Sequence, residues 1–460
     1  MAEATNIADA RILFNAVARE RADFLRGIRR GMDGWFKTIN GPPDMGMFHT
    51  GDDGWEALGR LTQAAMFEGK IAARADRGAV QNILGTIFVR KFLSEALPID
   101  QRNVARALSE TVKTAKQLFR SLTHFIPCQL TSDPEPVGLS LGRIRFLSRR
   151  EAKAVVRELL RAERAANPDL PAADRAHLLR AIQYHKGYRW FVQVPVADCA
   201  PKRSEAIAEL AATSALDFLQ VIIGARNSER MTIDARPHLY EQTASIQRDD
   251  GSGRFSISTG WALKGQGLSK GWTTEFLEGE EAFAFDQAGA ILESRLDPDL
   301  DRPLSQRLLD AAQWFGEAVR DRSPSTRLVK YVTALERLTL TRKERTDGAP
   351  DRIADLVSSR IAAMTTGLIP DRTFAQNKAA FKRLYTTRSE LVHGGISPLD
   401  PKVPDAVRDA NDYCEYAIGR ALHMWDRSAF LDPALPLASL EDWFNRLVAW
   451  QSGETGDAGS

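Results

Sequence analysis

The stretch KRLYTTRSELVHGG (residues 382–395) places an arginine, Arg388, five positions before a histidine, His393. Apolar side chains around Arg388 recur at the i, i+3, i+4 spacing of a helix, so the arginine lies on the face predicted to be buried. Gly394 and Gly395 predict that this helix ends directly after the histidine. A cation and a histidine that titrates near neutral pH, converging at one helix end, suit a phosphodiester: the first holds the phosphate and the second moves a proton.

A guanidinium on an apolar face needs an acidic partner, because an unpaired buried charge is strongly destabilising. Glu336 follows Val332 by four positions, so it points inward from the apolar stripe of an earlier helix. We predict a Glu336–Arg388 ion pair, and at this point a purely structural role for the pair stays open. Tyr385, one turn before Arg388, is predicted to pack, with a contact to a nucleobase as the alternative.

The wider pattern Y-x-x-R-S-x-x-V-H-G, from Tyr385 to Gly394, resembles the HEPN superfamily and, within it, the Apea-like branch. The segments AAQWFGEAV and TALERL resemble the second pattern of that branch, and the resemblance covers residues 303–428. It implies a helical bundle that forms a homodimer and carries a ribonuclease site. In that site Arg388 would bind the scissile phosphate and His393 would transfer a proton. The resemblance also implies that no metal takes part and that the 2′-hydroxyl of the RNA is the nucleophile.

Ser389 is the position at which this chain departs from many catalytic members, which carry Asn, Asp or His directly after the arginine. Serine is common in the Apea-like branch, so this position bears on activity and not on membership. The alternative function is a non-catalytic HEPN module that binds RNA or nucleotide, or that only dimerises. In that alternative Glu336 fully neutralises Arg388, and His393 faces no cleft. A third possibility is an interaction protein that acts through its aromatic C-terminal helix.

Other motifs predict no second site. Arg180 and His185 repeat the arginine–histidine spacing, but a strand follows them and no bundle surrounds them. GQGLSKG, residues 265–271, lacks the residue order of a phosphate-binding loop and is predicted to be a hairpin loop. The remaining histidines show no metal-ligand spacing, so we expect no cofactor and no metal.

Composition predicts an intracellular protein in the cytoplasm. The chain has 460 residues, 43% hydrophobic and 27% charged, with a formal net charge of +2, which does not imply general adhesion to nucleic acid. Cys128, Cys199 and Cys414 form no C-x-x-C pair, so neither a disulfide framework nor a cysteine zinc site is expected. No apolar run is expected to span a membrane, and the N-terminal sequence lacks the apolar core of a signal peptide.

Four segments are predicted, in an α+β, mainly α chain: a helical region 1–125, a mixed α/β region 126–300, the HEPN-like bundle 303–428 and a C-terminal segment 429–460. The first two would sense a trigger or restrain the bundle. By family resemblance, a bacterial stress or antiphage setting is expected.

Periodicity assigns the individual elements. In the first region two helical stretches flank INGPPDMGMFHTGDDG, which is predicted to be a loop, and the second of them is NVARALSETVKTAKQLFRSLTHF. Strands are predicted for GRIRFLS, YRWFVQVPV, GRFSISTGW (half-buried) and TTEFLEGEEAFAF, and a helix for RSEAIAELAATSALDFLQVIIG. S-R-R-E at 148–151 predicts a capping box.

Five helices with short connections, one of them the polar loop TRKERTDGAPD, predict the bundle. The tail helix SLEDWFNRLVAW is predicted to fold back onto it, with binding of a partner as the alternative. The last ten residues are predicted to be disordered.

Overall fold

A computed structural model describes most of the chain, in two compact units. One unit comprises Met1–Leu122 with Val196–Ile207, and the other comprises Thr123–Pro195 with Ala208–Ser460. The predicted division of the second unit near residues 303 and 428 stays a prediction. The described residues are 2–25, 37–132, 138–166, 176, 180, 188–233, 240–248, 255–263, 265–268, 271–279, 281–347, 350–425, 432 and 437–453.

The first unit is a helical domain with one β-hairpin. Its helices are α1 (Ala2–Leu25), α2 (Asp52–Glu68), α3 (Arg77–Phe88) and α4 (Gln101–Lys116). The hairpin consists of β1 (Lys37–Asn40) and β2 (Met47–Thr50), which pair antiparallel.

The hairpin corrects the loop predicted for residues 39–54. Ile39 and Phe48 are buried in the helical core, where they anchor the two strands. Glycine, proline and aspartate are frequent around the turn, and this composition led to the prediction of a loop in place of the two short strands.

A five-stranded sheet follows in the chain, with the order β4-β5-β6-β3-β7. Its strands are β3 (Arg120–Gln129), β4 (Ser140–Leu141), β5 (Ile144–Ser148), β6 (Trp190–Cys199) and β7 (Thr232–Ile233).

Strands β5 and β6 confirm two predictions, and β3 corrects one. The helix predicted through residues 103–125 ends at Lys116, and RSLTHF begins β3. Its β-branched and aromatic residues favour a strand once the helix has stopped.

Two helices continue from the sheet strands as predicted, α5 (Arg149–Ala166) and α6 (Pro201–Ile223). The predicted capping box at α5 is present: the Ser148 N–H donates to Glu151 Oε2 at 2.8 Å, and the Glu151 N–H donates to Ser148 Oγ at 3.3 Å. Among the described helices, α6 alone is long and apolar enough to cross a membrane, a length that no run was expected to reach. Of its apolar window, 72% is buried inside the protein, as in the core helix of a globular domain.

Two predictions fail between residues 232 and 300. The two ends of TTEFLEGEEAFAF are helical: residues 273–278 lie in α7 (Trp272–Glu278) and residues 282–285 lie in α8 (Ala282–Leu296). Short apolar runs do not distinguish strand from helix by periodicity, which accounts for the error. GQGLSKG is no hairpin loop, because a strand precedes it, a helix follows it and Gln266 bridges to Thr131.

The strand predicted within GRFSISTGW is present as β9 (Phe255–Leu263), paired antiparallel with β8 (Tyr240–Arg248). Its predicted half-burial is wrong, since Ile257 is 71% exposed.

The C-terminal part of the chain is helical, as predicted for the bundle. Its helices are α9 (Pro303–Val319), α10 (Pro324–Thr339), α11 (Arg342–Asp347), α12 (Pro350–Thr365), α13 (Phe374–Val392), α14 (Lys402–Met424) and α15 (Leu437–Ser452). Proline occupies the first turn of α9 and α10, where its missing N–H costs no helical hydrogen bond. Helix α11 corrects the polar loop predicted for TRKERTDGAPD.

The tail helix α15 folds back onto the bundle, as predicted. Its Phe444 is fully buried, and the guanidinium carbon of Arg360, on α12, lies 5.0 Å from the centre of that ring. Thr341 Oγ1 also donates a hydrogen bond to Glu441 at 2.5 Å. Gln451 and Ser452 complete α15 and Gly453 follows in a turn, which corrects the disorder predicted for these three residues; residues 454–460 lie outside the described residues.

Taken together, the described residues are mostly helical, with one small sheet and two hairpins. The predicted α+β, mainly α fold class is therefore confirmed.

Candidate functional site

Helix α13 carries the candidate residues and has a defined motif at each end. Thr373 and Gln376 form a reciprocal capping box at its start. At its end the His393 N–H donates to the Ser389 carbonyl at 3.0 Å, and the Gly395 N–H donates to the Glu390 carbonyl at 2.6 Å.

Gly394 lies between these two bonds with φ +78°, which makes the end of α13 a Schellman motif. The predicted glycine stop is confirmed, and His393 is the residue that caps the helix.

Arg388 reaches from α13 to Glu336 on α10, as predicted. Its Nη2 lies 3.7 Å from Glu336 Oε2, a contact longer than a hydrogen bond. The Arg388 side chain is 21% exposed and that of Glu336 is 13% exposed. The arginine predicted on the buried face is thus half-buried, and Coulomb attraction holds it beside the glutamate.

Tyr385 makes the short contact to the same carboxylate. Its hydroxyl donates to Glu336 Oε1 at 2.7 Å, and its ring centre lies 5.9 Å from the guanidinium carbon of Arg388. Burial, followed by the hydrogen bond to the Glu336 carboxylate, raises the pKa of the Tyr385 phenol well above its ordinary value. The hydroxyl therefore stays protonated and remains a donor.

The bond from Tyr385 to Glu336 is a role that the sequence did not predict, whereas the expected packing and the alternative contact to a nucleobase stay predictions. The Nε of Arg388 is buried and has no partner among the described residues, so the donors that this guanidinium can offer a ligand are those of its Nη atoms. Glu336 is the acidic partner recorded for Arg388 within the described part of the chain, and it does not hydrogen-bond the guanidinium at 3.7 Å.

A second cation lies near this corner. Arg345 is exposed on α11. The positive charges of Arg388 and Arg345 both act to lower the pKa of Tyr385, so Arg345 lies close enough to act on the same phenol. Two arginines and one glutamate leave a net positive charge here, which favours an oxyanion ligand. Sequence reasoning missed Arg345 because its segment was assigned to a loop.

His393 is placed differently from Arg388. Its side chain is exposed at the end of α13. Five residues along a helix correspond to a rotation of about 140° and a rise of about 7.5 Å. The structure therefore brings Arg388, Glu336 and Tyr385 together, and it leaves His393 at the helix end.

Ser389 is half-buried, and its backbone carbonyl receives the His393 N–H. The catalytic assignment of Arg388 and His393 stays a prediction.

Arg180 and His185, which repeat the arginine–histidine spacing, cannot be compared with Arg388 and His393 as a pair. Arg180 donates from Nε to the Ala176 carbonyl at 3.3 Å, and His185 lies outside the described residues. Cys128, Cys199 and Cys414 are buried and form no disulfide bond. Within the described ranges, no group of three or more His, Cys, Asp or Glu residues is arranged to hold a metal ion.

Comparison with known proteins returns no relative: no protein-family model matches this chain, and neither the curated proteins nor the solved structures contain a match.

Proposed function

We propose that this chain is a metal-independent endoribonuclease of the HEPN type, with Arg388 as its phosphate-binding residue and His393 as its proton-transfer residue. One observation carries the proposal: Arg388 is held in place beside Glu336 without a hydrogen bond to it. A guanidinium in that state has donors left for the paired oxygens of a phosphate.

The reaction follows from the chemistry of RNA. Arg388 binds a non-bridging oxygen of the scissile phosphate and stabilises the charge that grows there in the transition state. The 2′-hydroxyl loses its proton, its oxygen bonds to phosphorus and the bond to the 5′ oxygen breaks. The leaving oxygen takes up a proton, so the products are a 2′,3′-cyclic phosphate and a 5′-hydroxyl. His393 performs one of these two proton transfers.

A homodimer through the C-terminal bundle completes the proposed site. Val392 is 50% exposed and Leu399 is 92% exposed, so apolar side chains in the chain on either side of His393 are open to solvent. Burying them against a second copy would exclude water from the histidine, and the second copy would bring a second histidine for the other proton transfer. The proposed partners are RNA and a second copy, with no membrane. A cytoplasmic role in bacterial stress or antiphage defence is proposed on the family resemblance alone.

The alternative is a non-catalytic module that binds RNA or nucleotide. Two observations favour it. Arg388 already has an acidic neighbour in Glu336, and His393 does not share a helix face with Arg388. In this alternative the same positive corner binds phosphate, but His393 moves no proton.

Cleavage of a mixed RNA pool in EDTA tests the proposal. Wild type should cut and leave cyclic-phosphate ends, and His393→Ala should cut on the order of 10²–10⁴-fold more slowly. His423→Ala is the matched control, because His423 is also an exposed histidine near the end of a bundle helix. Equal loss in the two variants, or cleavage that survives in His393→Ala, would remove His393 from the site. A folded, dimeric wild type that binds RNA without cutting it would support the alternative.

A further inference from the structure

We infer that Tyr385 is a positioning residue: by holding the Glu336 carboxylate, it keeps the Arg388 guanidinium available to a phosphate. This inference rests on the proposed function of Arg388, because Tyr385 would control how readily Arg388 binds a phosphate.

The geometry assigns each oxygen of Glu336 to a different neighbour. Tyr385 and Arg388 lie three positions apart on α13, and residues at that spacing share a helix face. The tyrosine hydroxyl takes Oε1 at 2.7 Å, whereas the arginine remains 3.7 Å from Oε2. A hydrogen bond to a charged acceptor is shorter and stronger than a neutral one, so the tyrosine contact fixes where the carboxylate sits.

Competition for the carboxylate follows from this arrangement. Glu336 is 13% exposed, so little water reaches it to replace a lost donor. Without the tyrosine hydroxyl, the adjacent donor is the guanidinium. A carboxylate and an arginine that close on each other tend to form two parallel hydrogen bonds, and these would use donors that a phosphate needs.

Two other roles for Tyr385 fit the structure less well. A general base requires a phenol that loses its proton, and the raised pKa of Tyr385 opposes that loss. Donation of a hydrogen bond from Tyr385 to RNA requires a free hydroxyl proton, and this one is donated to Glu336 Oε1.

A double-mutant cycle on the full-length protein tests the inference. Its variants are Tyr385→Phe, Glu336→Gln and the two combined. The first readout is the rate at which phenylglyoxal modifies Arg388, followed on the Arg388 peptide by mass spectrometry. Tyr385→Phe should slow this rate several-fold, Glu336→Gln should raise it, and the double variant should behave like Glu336→Gln.

Tyr413→Phe provides the matched control. Tyr413 is a buried tyrosine of the same bundle, and its hydroxyl contacts Arg372 and Asn377 rather than Glu336. Its loss should leave the modification rate of Arg388 unchanged. An unchanged rate in Tyr385→Phe, with circular dichroism and melting temperature like those of wild type, would overturn the inference.

The second readout is the affinity for a short, non-cleavable 2′-fluoro RNA. Tyr385→Phe should weaken binding several-fold in the wild-type background and leave it unchanged in the Glu336→Gln background. An equal loss in both backgrounds would mean that Tyr385 contacts RNA directly, which overturns the inference. A different result would contradict the proposed function: Arg388→Ala binds and cuts RNA like wild type. In that case the phenylglyoxal modification rates still show whether Tyr385 keeps Arg388 available.

Discussion

Two arginines of the same bundle, Arg360 and Arg388, each face a glutamate from a neighbouring helix. They differ in burial and in the number of hydrogen bonds that they donate. Arg360 is 1% exposed and donates two hydrogen bonds to Glu344, at 2.6 and 2.9 Å. It also donates to the Thr339 carbonyl at 2.5 Å and covers the Phe444 ring. Arg388 is 21% exposed and stops 3.7 Å short of hydrogen-bonding its glutamate.

The difference shows what separates a structural arginine from one suited to a ligand. The contacts of Arg360 join α11, α12 and α15 and hold both of its Nη atoms in the interior; its Nε, like that of Arg388, is buried without a partner among the described residues. A fully buried charge needs such partners in place. Arg388 is anchored by attraction and by the neighbouring tyrosine ring, and it retains donors. The presence of an ion pair is therefore less informative than its length and its residual exposure.

The largest expected effect is on stability at Arg360. Arg360→Met should lower the free energy of unfolding by about 3 kcal/mol, because Glu344 is left without its buried partner. Arg388→Met should cost less than about 1 kcal/mol, as expected for a partly exposed pair. Urea unfolding followed by circular dichroism measures both. Equal losses would abolish the distinction between the two arginines.

A smaller effect is expected on RNA binding, and here Arg388→Met should have the larger effect of the two substitutions. Arg388→Met should weaken binding of single-stranded RNA about tenfold, which corresponds to about 1.4 kcal/mol. It should also reduce the slope of log affinity against log salt by about 0.7, the value for one lost phosphate contact. Arg360→Met, studied where it remains folded, should leave the salt slope unchanged. Titrations at several salt concentrations measure the slope, and a reduced slope in Arg360→Met would contradict the comparison.

The smallest expected effect is on pH dependence. Burial raises the pKa of Glu344, but hydrogen bonds from Arg360 and Thr341 outweigh it and place the pKa below the ordinary value of 4.5. A carboxylate with a lowered folded pKa stabilises the fold above its unfolded pKa, and that stabilisation is lost as pH falls through the folded value. The stability difference between wild type and Glu344→Gln should therefore shrink below about pH 4.5. Urea unfolding at several acidic pH values measures it, and a difference that grows with acid would reverse the sign of the argument.

Helical periodicity was sufficient to predict the ion pair and the end of α13. Val332 and Glu336 share one face of α10, so the inward direction of Glu336 could be read from spacing. Gly394 marked the helix end because a left-handed residue there is almost always glycine.

Distances inside the site could not be predicted in this way. Periodicity places Tyr385 and Arg388 on one face, but it does not decide which of them takes the short bond to Glu336. That choice depends on differences of about 1 Å in packing, which spacing does not record. Arg345 was missed because the short helix α11 has too few residues for a periodic signal.

The sheet and its surroundings were predicted less well than the bundle for a related reason. Strand β3 pairs with β7, about a hundred residues later in the chain, and its local sequence continues a helical pattern. Strands β1 and β2 pair with each other, but they are short and flank a turn rich in glycine and proline. Residues 273–285 show the opposite error: this short segment without a clear period was assigned to a strand, and its two ends lie in helices α7 and α8.

Gly394 has one more consequence. No described atom lies within 4 Å of where its Cβ would be, so backbone conformation alone requires the glycine. Each residue of an α-helix turns by about 100°, so the number of residues between Arg388 and His393 sets the angle between them. One residue inserted between them would turn the histidine through more than a quarter of a circle while every residue type in the site stayed the same. Gly394 ends α13 directly after His393, so the histidine stays in the last turn at the angle that this spacing gives it.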